Sequence, residues 1–109
     1  MNISAASTVT LDFAVLDRPV VTIAYNPPES QVKGRSVATF PNQDVYRPAI
    51  ELGACTIVGS ENELCAAVNA YLEDASRDSA GRSAFVDFSV GPHLCDSVEQ
   101  MARIVLARR

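Results

Sequence analysis

The apolar positions of this chain change period several times, and each change marks an element. Val20-Val21-Thr22-Ile23-Ala24-Tyr25 is β-branched and apolar without polar alternation, the pattern of a strand covered on both faces. Cys55-Thr56-Ile57-Val58 repeats that pattern on a smaller scale, and Asn2-Ile3 reads as the last residues of a first strand. Between the first two, Ser7 predicts a helix N-cap, and Val9, Leu11, Phe13, Val15 and Leu16 fill a helix that is apolar nearly all round. Pro19 ends that helix, because the residue before a proline is pushed out of the helical region. Strand end, loop, helix and strand make a truncated βαβ unit.

Residues 26–43 carry Pro27-Pro28, Gly34 and Pro41 with no periodicity, so they predict a long loop, and such loops are usually functional or disordered. A short helix over Val45 to Leu52 is expected despite Pro48, ended by Gly53. "SENE" sets Ser60 as a cap with Glu63 three residues on, a capping box. Leu64, Val68, Tyr71 and Leu72 then fall on one helical face. Asp74 to Arg82 reads as a polar connection, and Ala84 to Val90 as a further helix with a strand as the alternative. Asp96 or Ser97 caps a last helix whose Val98, Met101, Ala102, Val105 and Leu106 line one side. Alternating helices and buried strands imply an α/β layer with a parallel sheet. Three short strands leave an apolar flank and an open edge. The expected fold is therefore a partial Rossmann-like three-layer unit with a small parallel sheet, a single, incomplete domain over residues 1–109.

Composition narrows this picture. A chain that is 48% hydrophobic and 20% charged is too apolar to be disordered. A formal charge of −4 lacks the electrostatic footprint of a nucleic-acid binder. Arg103, Arg108 and Arg109 gather at the end of the last helix, where the helix dipole alone accounts for them. No apolar run approaches the roughly 18 residues of a membrane span, and Met1 to Ser7 form no secretory signal. The expectation is a cytoplasmic protein with no nucleic-acid partner and no membrane span. Cys55, Cys65 and Cys95 are odd in number and lack Cys-x-x-Cys spacing, so they predict buried, reduced thiols.

The candidate chemistry sits at residues 7–12. A loop-to-helix junction after a parallel strand lies where these sheets bind ligands. The N–H groups of Ser7, Thr8 and Val9 and the positive end of the helix favour a phosphate, and the two hydroxyls add donors. Asp12, one turn inside, is within reach of a ribose diol. Serines and threonines also cap helices without binding anything, so these residues by themselves leave capping and nucleotide binding both open. Lys33, Arg35 and Arg47 would bring positive charge to a diphosphate, or simply solvate the long loop. Tyr25 stacks on a base or only packs. His93, Cys95 and Asp96 in "GPHLCD" suggest a nucleophile or a metal ligand set, but one turn cannot supply three well-placed ligands at this spacing, no second cluster exists, and the turn reads as a loop. Asp87 and Glu51 have no partner that spacing identifies. No metal and no cofactor is implied.

"STVTLDFAVLDRPVV", residues 7–21, resembles the C-terminal domain of GT-B-fold transferases. These include the CDP-glycerol glycerophosphotransferases, with a Ser-Ser followed by Asp-Phe-Ala-x-Leu-Asp-Lys-Pro-Val in the same register. Nonhydrolysing UDP-N-acetylglucosamine 2-epimerases and capsule glycosyltransferases are similar in outline. "ELGACTIVGSENELCAAVNAYLED" is similar to the glycine, short strand, serine and Glu-Leu helix that close these domains, and "VGPHLCDSVEQMARIVLARR" falls where the family turns into a final helix. The resemblance implies the C-terminal half of a GT-B nucleotide-binding domain. Ser7 and Thr8 would contact the diphosphate of a UDP- or CDP-linked donor, and Asp12 the ribose. It also implies a transferase of surface polysaccharide or teichoic-acid-like assembly whose acceptor and base belong to a missing N-terminal domain, so this chain alone is not expected to catalyse transfer. The family's turn glycine is replaced near Cys95, and Gln100 stands where an arginine usually follows Glu99. "FVDFSVGPHLCDS" has a shallow likeness to STAS regulatory domains, with Ser97 as a phosphorylatable switch, but only 12 residues follow Ser97. A third reading, compatible with the first, is a non-catalytic fragment that self-associates as a homo-oligomer.

Overall fold

The computed structural model describes residues 1–26 and 36–108. Strands β1 (Asn2–Ser4), β2 (Val20–Ile23) and β3 (Thr56–Val58) form a parallel sheet in that order, with Ile3 beside Val21 and Val21 beside Thr56. Both connections step across the sheet in one direction. The right-handed crossover rule therefore puts α1 (Val9–Val15) and α2 (Arg47–Glu51) on the same face. The buried residues agree: Ala14, Tyr46 and Ala49 form one core with Phe85 and Val86 of α4 (Ser79–Val90). On the other face α3 (Glu61–Glu73) brings Tyr71 against Val21 and Val58. Alternate residues of β2 serve the two faces, Thr22 reaching Tyr46 and Val21 packing under Tyr71. The molecule is α/β with three layers, as the apolar pattern predicts. Among the described residues no helix is long and apolar enough to cross a membrane.

Local chemistry accounts for most boundaries. α1 stops where Asp17 turns into the left-handed region (φ 49), two residues before Pro19. α2 tolerates Pro48 because a first-turn residue needs no N–H partner, and Gly53 (φ 72) ends the turn that follows. The Ser60 box is present with one shift. The Glu63 N–H donates to Ser60 Oγ at 3.3 Å, while the Glu63 carboxylate accepts from the N–H of Gly59, at 2.6 Å, rather than from that of Ser60. Gly81 is set by close approach, since a Cβ there would overlap the Gly53 carbonyl on which α4 crosses.

Several expectations are corrected. The polar connection ends at Asp78, because α4 begins at Ser79 and carries Arg82, whose side chain is fully buried. Ala84 to Val90 is helix, not strand. Residues 26–43 contain a 3-10 segment, Val37–Asn42, while 27–35 lie outside the described residues. Leu72 lies off the buried face of α3, at 74% exposure. The thiols are free, but Cys65 and Cys95 are exposed and only Cys55 is half-buried. The largest departure is the last helix. α5 (Ser97–Ala107) forms, yet none of its residues is buried.

Candidate functional site

The carboxyl edge of the sheet carries a cavity of about 300 Å³ beside the first turn of α1, with Ser7 and Thr8 on its rim. Leu11, Val45, Pro48, Phe85 and Phe88 form apolar walls, and Gln43 and Ser89 add polar edges. Beneath it lies the Tyr46 hydroxyl, within hydrogen-bonding distance of Thr10 Oγ1 (2.8 Å) and Thr22 Oγ1 (2.7 Å), and donating to Cys55 Sγ at 3.8 Å. Burial pushes the Tyr46 phenol up to about 12 against the opposing hydrogen bonds of the two threonines, so it stays neutral at ordinary pH. Burial likewise pushes the Cys55 thiol up. One hydroxyl thus ties together α1, β2, the start of α2 and the approach to β3.

Ser7 and Thr8 are brought together at the start of α1. Thr8, the residue just before Val9, has helical backbone angles and makes no side-chain capping bond, whereas the Ser7 hydroxyl, expected as the cap, accepts from the first amide of the helix. The Val9 N–H donates to Ser7 Oγ at 3.3 Å, and the Thr10 and Leu11 amides donate to the carbonyls of Ser7 and Thr8. Of the three amides expected to face a ligand, that of Val9 is therefore engaged. Those of Ser7 and Thr8 meet no acceptor among the described residues. Asp12 is exposed and lies outside the lining, so the structure separates it from the rim that Ser7 and Thr8 share. Arg47 flanks the wall but is held by Asp44 at 2.7 Å, and Lys33 and Arg35 lie outside the described residues. Among the described residues no basic side chain lines the cavity. Its chemistry suits a group that is largely apolar or aromatic, oriented by hydroxyls and amides.

A second opening at the same edge, about 380 Å³, lies between Tyr25-Asn26 and the start of α3 at Gly59 to Asn62. Tyr25 lines it while packing against the α3 core, so both roles expected of it stay available. Asp87 lines a third opening, about 280 Å³, between α1 and α4. The "GPHLCD" turn is a local hydrogen-bonded cluster. His93 Nδ1 is 3.0 Å from Asp96 Oδ1, and Gln100 Nε2 donates to Asp96 Oδ2 at 2.9 Å. These bonds, Gln100 first, hold the Asp96 carboxyl below its ordinary value. Among the described residues no group of three His, Cys, Asp or Glu side chains is positioned to hold a metal ion. Ser97 is exposed as the first residue of α5.

Sequence reasoning missed Tyr46, Phe85 and Phe88. A signal for Tyr46 existed in Thr10 and Thr22, two hydroxyls inside otherwise apolar runs, which need a partner once buried. No family model, no curated protein and no solved structure matches the chain.

Proposed function

We propose that the chain is the C-terminal, donor-nucleotide-holding portion of a GT-B-type glycosyl or glycerophosphoryl transferase of surface polysaccharide synthesis, working in the cytoplasm and inactive in transfer by itself. The strand order and the crossing of α3 to the opposite face support half of a doubly wound unit, in which ligands lie beyond the carboxyl ends of the strands. The observation that carries the reading is the cavity at that edge with Ser7 and Thr8 on its rim. Its volume falls at the lower end of the range for small-molecule sites, about 300–1,000 Å³. Two hydroxyls and the amides of Ser7 and Thr8 would take the diphosphate of a UDP- or CDP-linked donor, and the walls of Leu11, Phe85 and Phe88 an apolar or planar part of it. A ribose contact from Asp12 requires the sugar to lie outside the cavity, over the first turn of α1. The mechanistic part of this chain is electrostatic: to hold charge that grows on the leaving diphosphate.

Titration calorimetry of the chain with UDP, CDP and GDP tests this. One of them binds with a Kd of about 0.1–1 mM, corresponding to about 4–5.5 kcal/mol. Ser7→Ala/Thr8→Ala abolishes the heat and Asp12→Ala weakens it. No heat with any of the three, or an unchanged Kd in the double variant, overturns the reading, as does enzyme-like transfer by the chain alone.

A further inference from the structure

We infer that the cavity at Ser7 and Thr8 holds the base of the donor nucleotide and accepts uracil and cytosine alike, because the side chain that meets the base edge, Gln43, is free to turn. This rests on the donor reading proposed above and names the part of the donor that enters the cavity. Charge decides which part that is. Among the described residues no basic side chain lines the cavity. A phosphate taken inside would lose its water without gaining a counter-charge. The diphosphate therefore stays at the rim, with the amides and hydroxyls of Ser7 and Thr8, and the uncharged end of the nucleotide goes in.

Phe88 supplies the platform. It lines the cavity and is 67% exposed, so it gives little to the core, whereas Phe85, one turn before it in α4, is buried. A flat ring laid on Phe88 removes apolar surface from water on both partners. Stacking of this kind takes any base, because every base has a π face. Phe88 therefore adds affinity without choosing between bases, and the choice falls to the polar edges of the cavity, Gln43 and Ser89. The backbone of Gln43 is fixed, its carbonyl accepting from the amides of Tyr46 at 2.9 Å and Arg47 at 3.1 Å. Its side chain is not: among the described residues no hydrogen bond engages the Gln43 carboxamide or the Ser89 hydroxyl. The Tyr46 hydroxyl beneath is different, because Thr10 and Thr22 already engage it. Uracil presents the O4 acceptor beside the N3–H donor, and cytosine the N4–H donor beside the N3 acceptor. Gln43 sets Oε1 and Nε2 side by side, and half a turn about its terminal bond, a broad two-fold torsion, exchanges them. A serine hydroxyl donates or accepts in the same way. Strong discrimination arises where the wrong ligand leaves a fixed polar group unpaired, and neither of these groups is fixed.

Titration calorimetry of the chain gives dissociation constants for UDP and CDP within about threefold of each other. Inorganic pyrophosphate, which has the charge but no base, binds at least about tenfold more weakly than either. Phe88→Ala weakens both nucleotides about tenfold. Phe88→Tyr, which keeps a ring to stack on, binds within about twofold of the unchanged chain. Gln43→Ala weakens both nucleotides by the same factor, about threefold, and leaves their ratio as it was. One of the two nucleotides binding at least about tenfold more tightly than the other overturns the inference and leaves the donor reading standing. So does a Phe88→Ala variant that binds both unchanged, or pyrophosphate that binds as tightly as the nucleotides. No heat with either nucleotide removes the donor reading and this inference with it.

Discussion

The two ends of α1 are held in opposite ways. At its C-terminal end Asp17 accepts from Arg82 Nε at 2.8 Å and from Ser79 Oγ at 2.9 and 3.0 Å. The same guanidinium donates to the carbonyls of Arg77 (2.6 Å) and Ala75 (3.1 Å), so one buried arginine fastens α1, α4 and the α3–α4 connection. At its N-terminal end Ser7 and Thr8 are joined only by local turn bonds and face an open cavity. The closed end has its polar groups matched to one another, although the Asp17 carboxylate itself is exposed and borders the opening between α1 and α4. The open end keeps donors and apolar wall available, as regions that bind or move must.

Substitutions separate these ends by what they change. The largest loss of stability is expected at the closed end from Gly81→Ala, about 3 kcal/mol, because the added methyl overlaps the Gly53 carbonyl and α4 must shift. Chemical denaturation measures it, and a small loss would mean that the α4 crossing is loose. Arg82→Ala follows at about 2–3 kcal/mol, from three lost hydrogen bonds and a cavity. Arg82→Lys restores under half of that, since one ammonium cannot reach in three directions along a plane. Tyr46→Phe should lose about 2 kcal/mol by stripping the buried Thr10 and Thr22 hydroxyls of their shared partner, without altering the rim that Ser7 and Thr8 form. At the open end Ser7→Ala/Thr8→Ala shifts stability by only about 0.5 kcal/mol while removing ligand binding. A large stability loss there would instead make the pair structural. The smallest effect is in acid. The Arg82 and Ser79 hydrogen bonds hold the Asp17 carboxyl below its ordinary 3.8. Its contribution is therefore full above about pH 4 and fades as pH falls through the lower folded value. Asp17→Asn should flatten the acid limb of a stability–pH curve, and an unchanged limb would show that the pair is screened by solvent.

α3 and α5 mark how far sequence reading reaches. Both carry an apolar stripe at helical spacing, and both form. In α3 the stripe and the Ser60–Glu63 cap agree with the tertiary placement, apart from Leu72. In α5 the same kind of stripe is left uncovered, and nothing local distinguishes it from a core face. The position of the Ser7-Thr8 junction was legible to the same degree. The Ser7-Thr8 junction falls at the carboxyl edge because it follows a strand, whereas the separation of Asp12 from the cavity depends on where Phe85 and Phe88 of α4 arrive.

Residues next to one another in the chain decided the elements: β-branched runs favour extended backbone, Pro19 and Gly53 stop helices, and Ser60 caps one. These are short-range steric and hydrogen-bonding effects, so the string of amino acids carries them by itself. The burial of Arg82, the meeting of Thr10, Thr22 and Tyr46 at one hydroxyl, and the bare face of α5 came only with the three-dimensional arrangement. Each depends on groups far apart in the chain, and a carbonyl or hydroxyl shows no preference for a distant partner until packing brings the two together.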